Sequence, residues 1–293
     1  MNTTKSWLQT ALALGLIVII FFMGTVLYAI RIEPARLSVT RHSVYSGKVP
    51  EAFSGTKIVQ FSDTHIGPDF TLQQLKKAVA LINGEKPGIV VFTGDLFDSM
   101  GRYGAGREQI SSVLAEIHAP LGKFAVYGNH DRGGGGSPFF APLMQRAGFR
   151  VLVNEAYRMK GPGGKAMTIT GLDDYLLGRP DEKKALSSLN KEEFNLLLVH
   201  EPDVADRLLP YPVDLQLSGH SHGGQVRLPV LDAPVKTRLA EKYESGMYEI
   251  GETGDSRLLY VNRGAGTTRM RIRLGSEPEL SVFTLSRKPG SPS

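Results

Sequence analysis

Five apolar runs of this chain each end in a short segment that carries histidine, aspartate or both. The segments are SDTHIG at 62–67, TGDLFD at 93–98, GNHD at 128–131, VHEPD at 199–203 and GHSHGG at 219–224. Short apolar runs bounded by turn residues predict buried strands, and ligands of open α/β sheets collect just beyond the carboxyl ends of strands. The chain is therefore predicted to fold around one site, into which imidazole and carboxylate groups converge.

The stretches between these segments alternate in character. Strands are predicted at 57–63, 88–95, 123–131 and 149–154, and helices at 71–83, 107–118 and 138–148. The second half holds further strands within AMTITGLDD, FNLLLVHEPD, VDLQLSGHSHGGQ, RLLYVNRGAG and ELSVFTL, with short helices at 182–189 and 202–209. Strands that alternate with helices are typical of layered α/β folds. We therefore predict two mixed β-sheets flanked by helices in one domain.

The N-terminal region contains 20 consecutive residues without charge, at 11–30. At ~1.5 Å per residue such a helix is about 30 Å long, which matches the hydrocarbon thickness of a bilayer. Trp7 and Tyr28 lie near its two ends, as in the aromatic belts of membrane helices. A cleaved signal peptide has a shorter apolar core and a small-residue cleavage site, so the stretch is predicted to be one uncleaved transmembrane helix.

These patterns divide the chain into four predicted parts. Residues 1–31 form an N-terminal cytosolic tail and transmembrane anchor, and 32–55 a juxtamembrane connector with a first strand. The catalytic domain spans 56–286, and a disordered tail follows at 287–293.

The charges that flank the anchor bear on its orientation in the cell (inner) membrane. Lys5 precedes it, whereas Arg31, Arg36 and Arg41 follow it. Cytoplasmic flanks carry an excess of Lys and Arg, which slightly favours a catalytic domain that faces the cytoplasm. A short tail with one lysine can also stay inside. The cytosolic tail named above would then put the catalytic domain on the opposite face, so both orientations remain open.

The candidate ligands limit which ions the site can hold. The chain has no cysteine, which excludes thiolate ligands, and nitrogen and oxygen ligands suit Mn, Fe, Zn, Co or Ni. The candidates at the predicted strand ends are Asp63, His65, Asp95, Asn129, His130, His200, His220 and His222. About seven ligands exceed one tetrahedral site, so we predict two divalent metal ions bridged by a carboxylate such as Asp95. A water between two such ions would lose a proton and attack phosphorus in line.

Local spacing predicts how two pairs of these residues are presented. One residue separates Asp63 from His65, and one residue separates His220 from His222. Side chains at this spacing point to the same side of an extended backbone. Each pair is therefore expected to reach the site from an extended segment.

Taken together, the five segments resemble the calcineurin-like metallophosphoesterase superfamily. Its pattern D-x-H, G-D-x-x-D, G-N-H-[DE], H and G-H-x-H is matched in order by DTH at 63–65, GDLFD at 94–98, GNHD at 128–131, His200 and GHSH at 219–222. The resemblance implies a four-layer metallophosphoesterase sandwich. It also implies hydrolysis of phosphoester or diphosphate bonds by a hydroxide that bridges two ions.

The same resemblance implies a role for each residue. One ion would be held by Asp63, His65, Asp95 and His222, and the other by Asp95, Asn129, His200 and His220. His130 would contact the phosphoryl group or help the leaving oxygen to depart, oriented by Asp131. Asp98 would be a supporting carboxylate near the site.

Two features outside the metal motifs resemble a branch of anchored bacterial proteins. They are Gln225, which completes GHSHGGQ, and the segment VNRGAGTT at 261–268. Some members of this branch are similar to UDP-2,3-diacylglucosamine pyrophosphatases of lipid A biosynthesis. The resemblance thus implies a phosphorylated substrate that is lipid-linked or part of the envelope. The alternative is a general phosphodiesterase or phosphatase that acts on a small substrate.

Other functions fit the sequence less well. GHSHG matches the G-x-S-x-G nucleophile elbow, but no histidine follows His222 to complete a triad with Ser221. A membrane-tethered binding module without catalysis would be expected to have lost a ligand, and none is lost. The net charge of +5 suits a nuclease, but the anchor argues against one, so nucleic acid is not an expected partner.

A basic cluster near the C-terminus has two interpretations. It comprises Arg263, Arg269, Arg271 and Arg273. The arginines could contact substrate phosphate or an anionic membrane surface, or they could form a solvated strand face. Arg263 is the preferred substrate-binding residue, because it ends a predicted strand directly before Gly264.

Overall fold

A computed structural model describes residues 2–228, 233–252 and 256–287. In these ranges the α-helices are α1 (Asn2–Leu27), α2 (Leu72–Gly84), α3 (Met100–Tyr103), α4 (Arg107–Ala115), α5 (Asn129–Arg132), α6 (Ser137–Arg146) and α7 (Glu182–Leu186). The strands are β1 (Ser38–Tyr45), β2 (Lys57–Phe61), β3 (Ile89–Phe92), β4 (Gly122–Ala125), β5 (Phe149–Val151), β6 (Glu155–Lys160), β7 (Ala166–Gly171), β8 (Phe194–Leu198), β9 (Leu215–Ser218), β10 (Gly246–Ile250), β11 (Arg257–Val261) and β12 (Glu279–Ser286). The tail predicted at 287–293 lies outside the described residues, except for Arg287.

Two six-stranded mixed sheets form the centre of the molecule. The strand order is β1-β12-β2-β3-β4-β5 in the first sheet and β10-β11-β9-β8-β7-β6 in the second. Strands β2, β3 and β4 are parallel neighbours, as are β7, β8 and β9. Their carboxyl ends therefore meet at one edge of each sheet.

Two sheets and the helices on their outer faces form four layers, with apolar side chains buried between them. Val91 and Phe124 of the first sheet share one buried cluster with Ile169 and Leu217 of the second. Helices α2, α4 and α6 cover the outer face of the first sheet, whereas α7 and a 3₁₀ helix at Pro202–Leu208 cover the second. The predicted arrangement of two mixed sheets flanked by helices is confirmed.

Helix α2 shows how the local sequence specifies one of these layers. The backbone N–H of Thr71 donates to Gln74 Oε1 at 2.9 Å, which closes the N-terminal turn. Leu75, Val79 and Ile82 follow at helical spacing and are buried against the first sheet. Burial of each such side chain contributes about 1.5–3 kcal/mol.

The structure differs from the predicted elements in four places. The strand predicted at 123–131 ends at Ala125, and the GNHD segment forms helix α5. The helix predicted at 202–209 has 3₁₀ geometry. Strands β6 and β10 were not predicted. They lie at the two edges of the second sheet and bury few side chains, so their sequences carry only a weak apolar pattern.

Helix α1 and its continuation have the length and the apolar composition needed to cross a membrane. Its apolar side chains are exposed, Phe21 by 75%. A π-helical turn at Tyr28–Ile32 and a 3₁₀ turn at Glu33–Ala35 connect it to β1. Because β1 pairs with β12 along its whole length, the first strand predicted within the juxtamembrane segment at 32–55 belongs to the first sheet.

Candidate metal centre

Polar segments from both sheets meet in one buried cluster. Asp63 and His65 follow β2, Asp95 follows β3, Asn129 begins α5, His200 follows β8, and His220 and His222 follow β9. All of these side chains except that of Asn129 belong to buried residues. The neighbours of Asn129 also contact the cluster, since the backbone N–H of His130 donates to Asp95 Oδ1 at 2.8 Å. The structure therefore brings six of the seven predicted ligands together and places the start of α5, which carries Asn129, beside Asp95.

One side of the cluster is formed by Asp63, His65 and His222, whose ligand atoms lie within 4.8 Å of one another. His222 Nε2 is 3.4 Å from Asp63 Oδ1, and His65 Nε2 is 3.9 Å from the same oxygen. The two Nε2 atoms are 3.0 Å apart. One carboxylate and two imidazoles thus converge at this side.

Asp95, His200 and His220 form the other side. Asp95 Oδ2 is 3.3 Å from His200 Nε2 and 3.5 Å from His65 Nε2, so one carboxylate oxygen reaches both sides of the cluster. The backbone holds both histidines of this side. His200 Nδ1 donates to the Thr93 carbonyl at 2.6 Å, and His220 Nε2 donates to the Arg238 carbonyl at 2.9 Å.

Several polar atoms of the cluster make contacts that the protein alone does not satisfy and that a bound cation would satisfy. His200 Nε2 and His220 Nδ1 lie 3.1 Å apart. If both rings are neutral and their other nitrogens donate to carbonyls, these two atoms present lone pairs to each other. Either a proton on His200 Nε2, which Asp95 favours, or a cation between the rings removes that repulsion. Asn129 Oδ1 is buried without a hydrogen-bond partner among the described residues, whereas buried polar atoms are normally paired. The donors are all nitrogen and oxygen, which suits divalent transition metals.

The buried carboxylates of the cluster favour added positive charge, whereas burial keeps two of its histidines neutral. Burial raises the pKa of Asp63 to about 6, and the charge of Asp95 acts in the same direction. Burial opposes a charge on His200, but the Asp95 carboxylate outweighs it and raises the His200 pKa well above its ordinary value. Burial lowers the pKa of His65 to about 3 and that of His220 to about 4. Neutral imidazole is the form that binds metal.

The backbone around the cluster corrects the prediction of extended segments. Five of the candidate ligands have φ in the left-handed region, namely Asp63 (50°), His65 (43°), Asp95 (63°), His220 (70°) and His222 (51°). Such conformations cost about 1–3 kcal/mol each for residues other than glycine and concentrate at functional sites. The paired side chains therefore reach the site from tight turns, and the i, i+2 argument for them was wrong.

The segment VNRGAGTT at 261–268 packs against the turn that contains Asp63 and His65. Gly266 donates its backbone N–H to the Asp63 carbonyl at 2.8 Å, and Ala265 donates to the Ser62 carbonyl at 2.9 Å. A Cβ atom on Gly266 would overlap the carbonyl oxygen of Thr64. Glycine is therefore required here by close backbone approach.

Gly266→Ala should displace the Asp63–His65 turn and lower the free energy of unfolding by about 1–3 kcal/mol. Thermal unfolding of the full chain in detergent measures the loss of stability, and metal titration measures the loss of affinity. Gly106→Ala is the matched control, because a Cβ atom there meets nothing within 4 Å. Equal stability of the two variants would contradict the packing argument.

His130 lies at the more open side of the cluster, with its side chain 30% exposed. Its Nδ1 donates to the backbone carbonyl of Asp98 at 2.6 Å, so Nε2 is the free ring nitrogen. Burial lowers its pKa, but the Asp95 charge and the Asp98 carbonyl outweigh burial and raise the His130 pKa above its ordinary value. The Asp98 carboxylate lies 3.8 Å from His65 Nδ1, which suits a supporting role.

Asp131 does not contact the His130 ring, although the resemblance implied that it orients this histidine. Its carboxylate accepts backbone N–H groups of Asp95, Leu96 and Gly128 at 2.7–2.9 Å. It therefore fixes the turn that carries Asp95, whereas Asp98 orients the His130 ring. The prediction failed because sequence proximity to His130 says nothing about which way the carboxylate points in a helical turn.

The predicted arginine cluster separates into different environments. Arg263 pairs with buried Glu279 at 2.8 Å, so its guanidinium is already bound to a carboxylate. Arg273 is fully buried, and its guanidinium donates to carbonyls of His222, Ser276, Arg263, Gly264 and Gly266. Burial lowers its pKa to about 10, which still leaves it charged at neutral pH. Arg269 is exposed and Arg271 partly so.

Arg273→Met should lower the free energy of unfolding by about 3–5 kcal/mol, because several buried carbonyls would each lose a donor at about 1–3 kcal/mol. Arg273→Lys should recover part of the loss. Unfolding of the full chain in denaturant measures both effects. Arg271→Met, two residues away and partly exposed, is the control and should stay within about 0.5 kcal/mol of the parent chain. A similar small change in Arg273→Met would rule out this structural role.

The sequence did not indicate that Arg273, Ser276 and Thr93 support the site. Ser276 Oγ donates to the His222 carbonyl at 3.0 Å, and the Thr93 carbonyl holds His200. Backbone acceptors leave no residue-type signal, so only the structure could reveal Thr93. Arg273 was noticed for its charge, but sequence alone did not separate it from its exposed neighbours.

The two-sheet sandwich and its cluster of histidines and carboxylates suit a metal-dependent hydrolase. A family model for the calcineurin-like phosphoesterases matches residues 56–224. An uncharacterised metallophosphoesterase of Bacillus subtilis, YkuE, is 43% identical over 88% of this chain and 88% of its own length. The chain belongs to the calcineurin-like phosphoesterase family. It is therefore a metallophosphoesterase, which acts on phosphoester bonds, and its family uses divalent metals.

Two further relatives carry functional names. The UDP-2,3-diacylglucosamine pyrophosphatase LpxG of Chlamydia trachomatis is 29% identical over 90% of this chain and 94% of its own length. The phosphodiesterase YaeI of Escherichia coli is 30% identical over 86% of this chain and 90% of its own length. These similarities extend beyond the matched family region to most of the chain.

Proposed function

We propose that this protein is a single-pass membrane-anchored hydrolase that uses two divalent metal ions to cleave a phosphodiester or diphosphate bond. The observation that carries the proposal is the position of Asp95, one oxygen of which lies 3.3 Å from His200 and 3.5 Å from His65. A carboxylate between two histidine groups is suited to bridge two ions. The ions are Mn, Fe, Zn or similar, given the nitrogen and oxygen donors.

The seven ligands divide between the two ions in the proposed site. Asp63, His65, Asp95 and His222 would hold one ion, and Asp95, Asn129, His200 and His220 the other. When bound, the ions would supply an activated water and neutralise charge on the phosphoryl oxygens. The burial of Asp63 and His222 excludes bulk solvent from this part of the site.

His130 would act on the substrate rather than on a metal. Its Nδ1 is occupied by the Asp98 carbonyl, so Nε2 is available to donate a proton to the leaving oxygen or a hydrogen bond to the phosphoryl group. Arg263 is a weaker candidate for a substrate contact. It is partly exposed, but Glu279 competes for its guanidinium.

The proposed substrate is a lipid-linked phosphate, such as UDP-2,3-diacylglucosamine of lipid A biosynthesis. Two observations support it, namely the apolar helix α1 and the similarity to LpxG over most of both chains. The anchor would place the catalytic domain at the cell membrane. The charges that flank the anchor slightly favour a domain on the cytoplasmic side of that membrane. A general phosphodiesterase is the second candidate, supported by the similarity to YaeI.

Hydrolysis by the purified full chain, with Mn²⁺ added, would test both candidates. The panel contains bis(p-nitrophenyl) phosphate, UDP-2,3-diacylglucosamine in mixed micelles, and a phospholipid. The lipid proposal requires a kcat/KM for UDP-2,3-diacylglucosamine well above those of the other two compounds. A preference for the simple diester favours the second candidate. Hydrolysis of none, by protein loaded with metal, would contradict the proposed chemistry, and an Asp95→Asn preparation corrects for contaminating hydrolases.

A further inference from the structure

The end of the anchor leaves one backbone acceptor free. In the π-helical turn the N–H of Glu33 donates to the carbonyl of Tyr28, five residues earlier. The next bond in that pattern would join the carbonyl of Ala29 to residue 34, which is Pro34 and has no N–H. The Ala29 carbonyl instead accepts the backbone N–H of Arg273 at 2.9 Å.

A second contact fastens the anchor to the catalytic domain. The Glu33 side chain is buried, with 2% of the residue exposed, and Glu33 Oε1 accepts the backbone N–H of Ser276 at 2.7 Å. Ser276 Oγ in turn donates to the carbonyl of His222. Only a few hydrogen bonds therefore separate the end of the anchor from a candidate metal ligand.

Residues 268–272, which we name the bridging loop, connect these contacts to the metal centre. At one end, Gln225 Nε2 donates to the Thr268 carbonyl at 3.0 Å, and the Thr268 N–H donates to Gln225 Oε1 at 2.9 Å. At the other end, the loop joins Arg273 at its bond to Ala29. The loop is thus held between the GHSHGGQ segment and the anchor.

The middle of the bridging loop has the composition of a membrane-interface segment. Met270 is 67% exposed, and it lies between exposed Arg269 and partly exposed Arg271. An exposed apolar side chain flanked by cations suits the boundary between acyl chains and anionic head groups.

The position of the loop agrees with that composition. The uncharged stretch of the anchor ends at Ile30, and the loop is bonded one residue before that end, at Ala29. Met270 is three residues from Arg273, a reach of at most about 10 Å. If α1 spans the bilayer, the loop is therefore joined to the anchor near the level at which the hydrocarbon ends, and Met270 can reach that level.

We propose that the bridging loop lies in the membrane interface, with Met270 among the acyl chains and with Arg269 and Arg271 against anionic lipid head groups. This inference rests on the single-pass anchor of the proposed function. The loop would hold the metal centre at the bilayer surface, since it is bonded on one side to Gln225 and is continuous with Arg273, which contacts His222. Lipid-linked phosphates would then reach the site without leaving the membrane.

Fluorescence quenching by brominated phosphatidylcholine would test the depth of the loop directly. Trp7 is the chain's single tryptophan, so Trp7→Phe provides a silent background for one new indole. Met270→Trp in this background, reconstituted in vesicles with phosphatidylglycerol, should be quenched strongly. Phe21→Trp, within α1, is the positive control. Tyr45→Trp is the negative control, since Tyr45 is 62% exposed at the end of β1 that points away from the anchor.

The outcomes separate this inference from the proposed catalysis, because quenching requires no activity. Strong quenching at position 270 and weak quenching at 45 would support the inference even in an inactive protein. Quenching at 21 with none at 270 would overturn it and would instead suit a protein partner for the loop. Absence of quenching at position 21 would contradict both the inference and the proposal that α1 spans the membrane.

A charge reversal tests the role of the two arginines. With both arginines present, we expect stronger quenching at position 270 in anionic vesicles than in zwitterionic ones. The double substitution Arg269→Glu and Arg271→Glu should abolish this difference. Lys76→Glu with Lys77→Glu, on exposed positions of α2, makes the same change in net charge and should leave that difference intact. If the arginine variant were still quenched more strongly in anionic vesicles, the proposed contact of Arg269 and Arg271 with head groups would be contradicted.

Discussion

Asp95→Asn should reduce kcat/KM for phosphodiester hydrolysis at least about 100-fold, since even residues that only support metal ligands change affinity or activity by about 10–100-fold. The Asp95 carboxylate is the group that reaches both sides of the cluster. Asparagine has nearly the same shape and can still accept the His130 backbone N–H at Oδ1. The substitution therefore removes the charge and one anionic ligand atom while leaving the turn in place.

Metal content by mass spectrometry, together with kcat/KM and the melting temperature, distinguishes loss of ions from loss of fold. The variant should bind fewer ions per chain at the same Mn²⁺ concentration and melt within a few degrees of the parent chain. Asp98→Asn is the graded control, because its carboxylate lies 3.8 Å from His65 and is 37% exposed. We expect about a tenfold loss there. Full activity of Asp95→Asn would reject the two-metal proposal.

The sequence predicted the layered fold and the location of the site for one physical reason. Strands of parallel sheets end at a common edge, so polar residues after successive apolar runs must converge there. His200 and Asp95 are far apart in sequence, yet their strands bring them to 3.3 Å. Edge strands β6 and β10 were missed because a strand that is mostly exposed does not need an apolar run.

What the sequence could not supply is the orientation of side chains within the site. The left-handed backbone at Asp63 and His65 is stabilised by contacts with the Gly266 segment, about 200 residues further along the chain. Spacing rules assume a regular backbone, and this turn departs from it. The same limit applies to Asp131, which accepts backbone N–H groups in a helical turn instead of contacting the His130 ring.

The burial of Arg273 illustrates a related limit. An arginine within TTRMRIR has the sequence context of a solvated loop. It is buried because five backbone carbonyls from several turns converge on one guanidinium, and this geometry exists only after those turns have formed. Its neighbours Arg269 and Met270 remain exposed. Arginines only a few residues apart can thus lie in different environments, one stabilising the fold and the other exposed for the membrane contact proposed above.

His130→Ala should lower kcat by about 10²- to 10⁴-fold, which is the range for loss of a general acid or base, with metal content unchanged. The ring is held by the Asp98 carbonyl through Nδ1 and is partly exposed, so it can reach a substrate without being needed to hold an ion. His118→Ala, at an exposed histidine outside the cluster, is the control and should be silent. Unchanged kcat and KM in His130→Ala would exclude both proposed roles.

The dependence on the leaving group separates the two roles of His130. Proton donation matters most when the departing oxygen is strongly basic, so an alkyl ester should lose far more rate than a p-nitrophenyl ester whose leaving group departs unaided. A hydrogen bond to the phosphoryl group is the same in both esters, and its loss should lower both rates equally and raise KM. Since Nε2 is the ring atom free to make either contact, the ratio of the two losses identifies which one the enzyme uses.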